Sequence, residues 1–257
     1  MFQRIAHRHR PESQGWRRST PGTALLGTAI VSVLALAGCP STWQTVPPPP
    51  VPAAPAIEAA PPVAGAIRYR VASAESLVVV LVYRGGTLAS LGHNHVIAAR
   101  ALTGIVDLRE PLAVSTFELH LPVAAFTVDE AGLRSSRGPG FADAVTDQAR
   151  AGTRDNMLGE ALLDAARFPE IVVRSVSLDG GPQDFTARLE VSVRGAPHLL
   201  DVPVQVERPD ADRLHVTARF PVDQSALGLT PFSVMLGALR VEDRLGIEVD
   251  INAIRER

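Results

Sequence analysis

The sequence contains no lysine and only one cysteine, and each shortage argues against one class of protein. Arginine supplies the positive charge and the formal net charge is -2, so the chain lacks the strongly basic surface that phosphate backbones require. One cysteine, Cys39, cannot support an internal disulfide framework. We therefore expect neither a nucleic-acid partner nor a disulfide-stapled scaffold.

The first 38 residues have the features of an export signal. Five arginines and a single acid occupy residues 1–18, and an apolar run follows from about Ala24 to Ala37. This run is too short to cross a bilayer comfortably, because about 30 Å of hydrocarbon takes roughly 20 helical residues. A basic segment before a short apolar one is typical of a signal peptide, which we predict at residues 1–38.

The apolar run ends in Leu36-Ala37-Gly38-Cys39, which resembles a bacterial lipobox. The resemblance implies that Cys39 is lipidated and tethers the mature protein to a membrane. Pro40 follows the cysteine where an Asp commonly keeps such proteins on the inner membrane, so we expect a periplasmic protein anchored to the outer membrane. Residues 39–66 are rich in Pro and Ala, which predicts an extended linker.

From Ile67 to the C-terminus, apolar and polar residues alternate with period two, which is typical of strands with one dry and one wet face. Segments with turn signals such as Gly85-Gly86 and Asp179-Gly180-Gly181 between them favour antiparallel hairpins. We predict an all-β domain at residues 67–257 with eight or nine strands, forming a closed barrel or a two-sheet sandwich.

One segment, from about Ala142 to Ala166, has helical spacing instead. Leu158, Leu162 and Ala165 recur on one side, and Gly152 predicts a break into two short helices. A helix inserted between strands has to lay its apolar side across the barrel, so we predict a lid.

The run Arg154-Asp155-Asn156-Met157-Leu158, continuing through Phe168-Pro169-Glu170-Ile171 to Ser175, resembles the YceI family of periplasmic proteins. Gly195 before Pro197 and the closing segment Arg244 to Ile251 are also similar to the family pattern. The resemblance covers about Ile67 to the C-terminus. It implies an antiparallel lipocalin-like barrel with a short helical insertion, whose dry channel holds a polyisoprenoid or quinone-type lipid.

The candidate ligand-binding residues follow from this resemblance. In a hollow barrel the core and the ligand wall coincide, which nominates six apolar residues: Met157, Leu158, Leu162, Phe168, Phe232 and Met235. His93 and His95 share one side of an extended segment, and the resemblance places them near the barrel mouth, where an imidazole can hydrogen-bond a ligand's polar head. The paired acids Asp129-Glu130 and Glu242-Asp243 are interpreted as solvated loop residues.

The sequence leaves three functions open. The leading hypothesis is a non-enzymatic carrier of an apolar isoprenoid-type lipid, with no resident cofactor or metal. The alternative is a metal-dependent or redox accessory enzyme that uses His93 and His95, although a zinc site requires three or four ligands. The third is a structural lipoprotein with a solid barrel. A homodimer stays open.

Overall fold

The computed structural model of the protein describes residues 63–181 and 183–257. The predicted signal peptide, Cys39 and most of the linker lie outside the described residues and stay predictions. Of the helices within the described ranges, none combines the length and apolar character needed to cross a membrane.

The described chain is mostly β-structure. The strands are β1 (Ile67–Val71), β2 (Leu77–Val82), β3 (Arg84–Gly85), β4 (His95–Ala99), β5 (Thr103–Leu108), β6 (Thr116–Pro122), β7 (Thr127–Val128), β8 (Glu170–Gly180), β9 (Asp184–Val193), β10 (Ala196–Asp210), β11 (Arg213–Asp223), β12 (Ser233–Val234), β13 (Leu239–Val241) and β14 (Arg244–Arg255). The α-helices are α1 (Ala131–Ser135) and α2 (Asp147–Leu158). Short 3-10 turns join several of these elements.

Eight strands close into an antiparallel barrel in the order β1-β5-β6-β8-β9-β10-β11-β14, and β14 pairs with β1 again. Closure satisfies the backbone groups that an open sheet edge would expose. The prediction of an all-β antiparallel barrel with a short helical insertion is confirmed, and the sandwich alternative is excluded.

The last strand, β14, shows how the barrel's two ends differ. Its residues Gly246 to Asp250 pair with β2, whereas Ala253 to Arg255 pair with β1. Beyond β2, the sheet continues through β4 to β7. A second, small sheet of β12, β13 and β3 lies where the chain leaves β2.

The end formed by β1 is plugged. Tyr69, Leu108, Leu214 and Ala253 form a buried cluster there, and the Tyr69 hydroxyl donates a hydrogen bond of 3.0 Å to the Ala211 carbonyl in the β10–β11 turn. We call this the closed end.

The walls follow the period-two pattern. Along β9 every second residue from Phe185 to Val193 is buried inside, while the residues between them point outward. The run in β2 is apolar throughout because both of its faces are covered. Val78 and Val80 face the interior, and Val79 packs outside against Phe141.

Glycine turns join the strands as predicted. Arg194 and Gly195, with φ of 51° and 73°, form the two-residue loop between β9 and β10. Both central residues of such a hairpin need positive φ, which explains the glycine.

The predicted break at Gly152 is wrong, because α2 runs through it without interruption. The Thr146 hydroxyl accepts a hydrogen bond from the Ala149 N–H and caps the helix. A single glycine weakens a helix only modestly, so a capped helix tolerates it. The helix ends at Leu158, and residues 159–167 form turns.

Candidate ligand cavity

The barrel encloses a cavity of about 480 Å³, within the roughly 300–1,000 Å³ typical of small-molecule sites. Its walls are the inward residues of the alternating strands, such as Val80, Leu119, Val173, Val191 and Val249. The closed-end cluster takes no part in the wall. Among the described residues, the cavity is therefore an apolar chamber that is closed at the β1 end and extends towards the opposite end.

Helix α2 covers part of this chamber. Ala149, Thr153, Asn156 and Met157 line the cavity from the helix, as the lid prediction requires. Arg154 donates a hydrogen bond of 2.6 Å to the Ala124 carbonyl and holds the helix against the turn that follows β6.

Polar groups gather at the open end. Arg84, His93, His95, Asn156 and Arg240 border the cavity there, whereas the wall deeper in the barrel is apolar. Arg84 donates a hydrogen bond of 2.6 Å to the Gly92 carbonyl, which fixes the loop that carries the two histidines. A ligand with one polar end and a long apolar tail matches this distribution.

His95 is held in one orientation by Asp129. The His95 Nδ1 lies 2.7 Å from Asp129 Oδ2, and the other Asp129 oxygen accepts from the Val96 N–H and from Arg134. Because Asp129 is an acceptor in all three bonds, the hydrogen between it and His95 belongs to Nδ1. His95 Nε2 then faces the cavity, 3.3 Å from the Thr153 hydroxyl.

Burial raises the pKa of Asp129, but the hydrogen bonds from His95 and from the Val96 N–H, together with the charge of Arg134, outweigh burial and lower that pKa below its ordinary value. Arg134 also donates to the Asn94 and Asp143 carbonyls, at 2.6 Å and 2.9 Å. A carboxylate buried among such donors fixes the backbone around the histidines.

His93 lies beside His95, with ring centroids 6.3 Å apart. Across residues 63–181 and 183–257, no three His, Cys, Asp or Glu side chains are grouped as metal ligands. His95 Nδ1 is also engaged by Asp129.

The predicted ligand-binding residues separate into two groups. His93, His95, Met157, Leu162 and Phe232 all line the cavity. The other three lie outside its wall: Leu158 packs on the core, Phe168 lies under Arg167 and against Gly195, and Met235 is exposed on a turn. Met235 follows β12 in a tight turn with positive φ, which directs it away from the barrel.

Sequence reasoning missed Asp129, Arg134 and Thr153. The interpretation of Asp129 as a solvated loop acid is wrong, since only 3% of the residue is exposed. In the structure, Asp129 directly follows the short strand β7, whose partner β4 begins at His95. No pattern in one sequence pairs Asp129 with His95, because 33 residues separate Asp129 from Val96.

Comparison with known proteins places this geometry in context. The model of the YceI-like domain family matches residues 72–253. The search of curated proteins finds no match.

Among solved structures, this chain is similar to BcnA of Burkholderia cenocepacia, at 16% identity and a TM-score of 0.53, over 71% of this chain and 98% of BcnA. It is also similar to a polyisoprenoid binding domain from Saccharophagus degradans, implicated in plant cell wall breakdown, at 12% identity and a TM-score of 0.49, over 74% of this chain and 99% of that domain. The likeness to BcnA shows a shared fold. Because the family model matches well over half of the sequence, the protein belongs to the YceI-like domain family.

Proposed function

We propose that the protein is a non-enzymatic carrier of an apolar isoprenoid-type lipid in the cell envelope. The observation that carries this proposal is the blind apolar chamber with polar groups confined to its mouth. Transfer of a hydrocarbon chain from water into such a chamber contributes about 25 cal/mol for each Å² of apolar surface removed from water. The isoprenoid character of the ligand comes from the family resemblance.

The polar end of the lipid is expected at His95. Asp129 accepts the hydrogen of Nδ1, so Nε2 is the His95 nitrogen that faces the cavity, beside the Thr153 hydroxyl, which both donates and accepts. A hydroxyl or quinone oxygen can pair with these two groups without displacing the apolar tail. His93 and Asn156 lie on the same border of the cavity and offer further hydrogen bonds.

The direct test is extraction of lipid from the purified protein, followed by native mass spectrometry. We expect one isoprenoid-type lipid per barrel, and a release or uptake assay with a fluorescent polyprenol should show competition by that lipid. A barrel that yields no lipid and takes up none would overturn the proposal and favour the solid-barrel alternative.

A variant pair separates tail from head recognition. Ala218→Phe places an aromatic ring inside the chamber and should weaken lipid uptake by competing with the apolar tail, because Ala218 lies on the apolar wall. His95→Ala should weaken uptake about 5- to 150-fold, the equivalent of one to three kcal/mol for an unpaired polar group. If His95→Ala leaves uptake unchanged, the polar head does not bind at His95.

The redox or metal alternative is tested on the same preparations. Elemental analysis of the wild-type protein and of His93→Ala and His95→Ala would reveal a bound metal that depends on the histidines. A stoichiometric metal lost in both variants would contradict the carrier proposal.

We further propose that lipidated Cys39 tethers the domain on the periplasmic side of the outer membrane. Support comes from the lipobox-like Leu36-Ala37-Gly38-Cys39 and from Pro40 after it. Metabolic labelling with palmitate should modify the wild-type chain and not Cys39→Ala, and membrane fractionation should then find the variant soluble. Labelling of both chains would refute lipidation at Cys39.

A further inference from the structure

One exposed apolar feature is not explained by the cavity. The strands β12 and β13 form a hairpin at the cavity mouth, defined here as the rim hairpin, residues 232–241. Phe232, Leu239 and Val241 line the cavity from this hairpin, and the Val241 N–H donates a hydrogen bond of 2.9 Å to the Phe232 carbonyl. The turn at its tip points the other way, into solvent.

The two residues at the tip are unusual for a solvent-exposed turn with positive φ. Met235 and Leu236 adopt φ of 53° and 56°, a conformation in which Gly, Asn and Asp are favoured. Met235 is 64% exposed and Leu236 is fully exposed. Packing within the barrel does not account for large apolar side chains at this strained, exposed turn, which makes the tip a candidate contact surface.

A neighbouring loop extends the same surface. The Leu88 N–H donates a hydrogen bond of 2.7 Å to the Ala238 carbonyl, so the segment that follows β3 lies directly beside the rim hairpin. This segment exposes Leu91. Residues 84–95 and 229–240 contain arginine and histidine but no acidic residue. Arg84 and Arg240 are paired with Asp143 and Glu242 from outside the two segments, so attraction to anions is modest and the apolar tip dominates.

We propose that the tip of the rim hairpin inserts into a lipid bilayer, so that the cavity mouth opens onto the membrane. This inference rests on the proposed function, because only an apolar cargo needs a passage that avoids water. A bilayer fits better than a protein partner, because the tip is a projecting turn rather than a groove. Apolar side chains such as Met235 and Leu236 can be buried in the interfacial region of a bilayer. Neither segment contains an acid that would repel an anionic membrane surface, and the paired arginines leave the apolar tip as the main source of binding.

The test uses residues 52–257. Every strand that the structure describes lies within this unit, and these strands pair with one another and pack on apolar clusters of the same unit. The unit contains no cysteine, so Leu236→Cys accepts a single environment-sensitive fluorophore. On addition of vesicles of phosphatidylethanolamine and phosphatidylglycerol, the label at position 236 should shift to shorter wavelength and be quenched by brominated acyl chains. The same label at Ala211→Cys, in the turn at the closed end, should show neither change.

A second measurement compares vesicle co-sedimentation of two matched variants. Met235→Asp/Leu236→Asp should reduce the vesicle partition coefficient at least about tenfold, since charged side chains do not enter the interface. Leu199→Asp is the control, because Leu199 is also 64% exposed but lies on β10 and outside the cavity wall. It should change partitioning less than about twofold. Circular dichroism verifies that all variants fold.

Equal loss in both variants, or no spectral shift at position 236, would overturn the inference. Burial of the label only on addition of another protein would also overturn it. Lipid content is measured on the same samples. A lipid-loaded barrel that does not bind vesicles refutes membrane insertion alone, whereas a barrel that contains no lipid and takes up none refutes the proposed carrier function.

Discussion

The two ends of the barrel are built from the same alternating strands, yet one is packed and the other is hollow. At the closed end, Tyr69 and Leu214 pack together with Ala253 of the strand between them, and the Tyr69 hydroxyl is bonded to the β10–β11 turn. Towards the mouth, the walls present mainly aliphatic side chains, together with Phe117 and Phe220, and they leave a cavity between them. An eight-stranded barrel is just wide enough for side chains to fill.

The comparison teaches that one alternating strand pattern can build both a packed core and a cavity wall, and that at the closed end Tyr69 and its bond to the β10–β11 turn complete the packing. It also assigns different tasks to the two ends. Packing at the closed end stabilises the fold, and polar contacts at the mouth orient groups that face the cavity. The following predictions probe this division, in order of expected effect.

The largest effect is expected from Asp129→Asn at the open end. The change removes the buried partner of Arg134, whose side chain is 9% exposed, and breaking one half of a buried pair costs about 3–5 kcal/mol of unfolding free energy. Urea unfolding measures the loss. The neighbouring Glu130→Gln is the control, because its pair with Arg100 is largely solvated and contributes less than about 1 kcal/mol. Similar losses in the two variants would show that the hydrogen bonds and the ion pair of Asp129 do not stabilise the open end.

The second prediction contrasts the same substitution at the two ends. Ala253→Phe overfills the packed closed end and should lower the free energy of unfolding by about 1–3 kcal/mol. Ala218→Phe enters the empty chamber and should change it by less than about 1 kcal/mol. Thermal and urea unfolding measure the free energy of unfolding of both variants. If Ala218→Phe is the more destabilising of the two, the interior is packed and the contrast fails.

A more gradual effect is expected from pH. The folded-state pKa of Asp129 is lowered, so its ionised form contributes stability that is complete above the unfolded-state pKa and is lost as the pH falls through the folded-state pKa. Between about pH 5 and about pH 2, the wild-type protein should therefore lose more unfolding free energy than Asp129→Asn does. Urea titrations across this range test it, and parallel curves would contradict it.

The smallest effect concerns the helix over the cavity. Gly152→Ala should raise the free energy of unfolding by about 0.5–1 kcal/mol, because a Cβ there meets nothing within 4 Å and the helix loses less backbone entropy. Lipid content should stay unchanged, since Gly152 lies outside the cavity wall. Gly104→Ala serves as a contrast, because its Cβ would lie 2.5 Å from the Glu118 carbonyl oxygen and should destabilise β5. A destabilised Gly152→Ala would mean that α2 needs the glycine.

The sequence predicted the walls better than the mouth. Period-two runs such as Leu189 to Val193 favour one side inside, so the strands and their inward faces follow from local pattern, whereas the choice of a barrel over a sandwich came from the family resemblance. The contact between His95 and Asp129 depends on the antiparallel pairing of β4 with β7, which no local signal records. Likewise, the apolar side chain of Met235 predicts a core residue, whereas the positive φ of Met235 in the structure directs this side chain outward.

The described chain enters the barrel at Ile67, whose partner on β5 is Leu108 of the closed-end cluster. A membrane tether on the N-terminal side of Ile67, as proposed for Cys39, would therefore join the domain at its closed end and not at the cavity mouth.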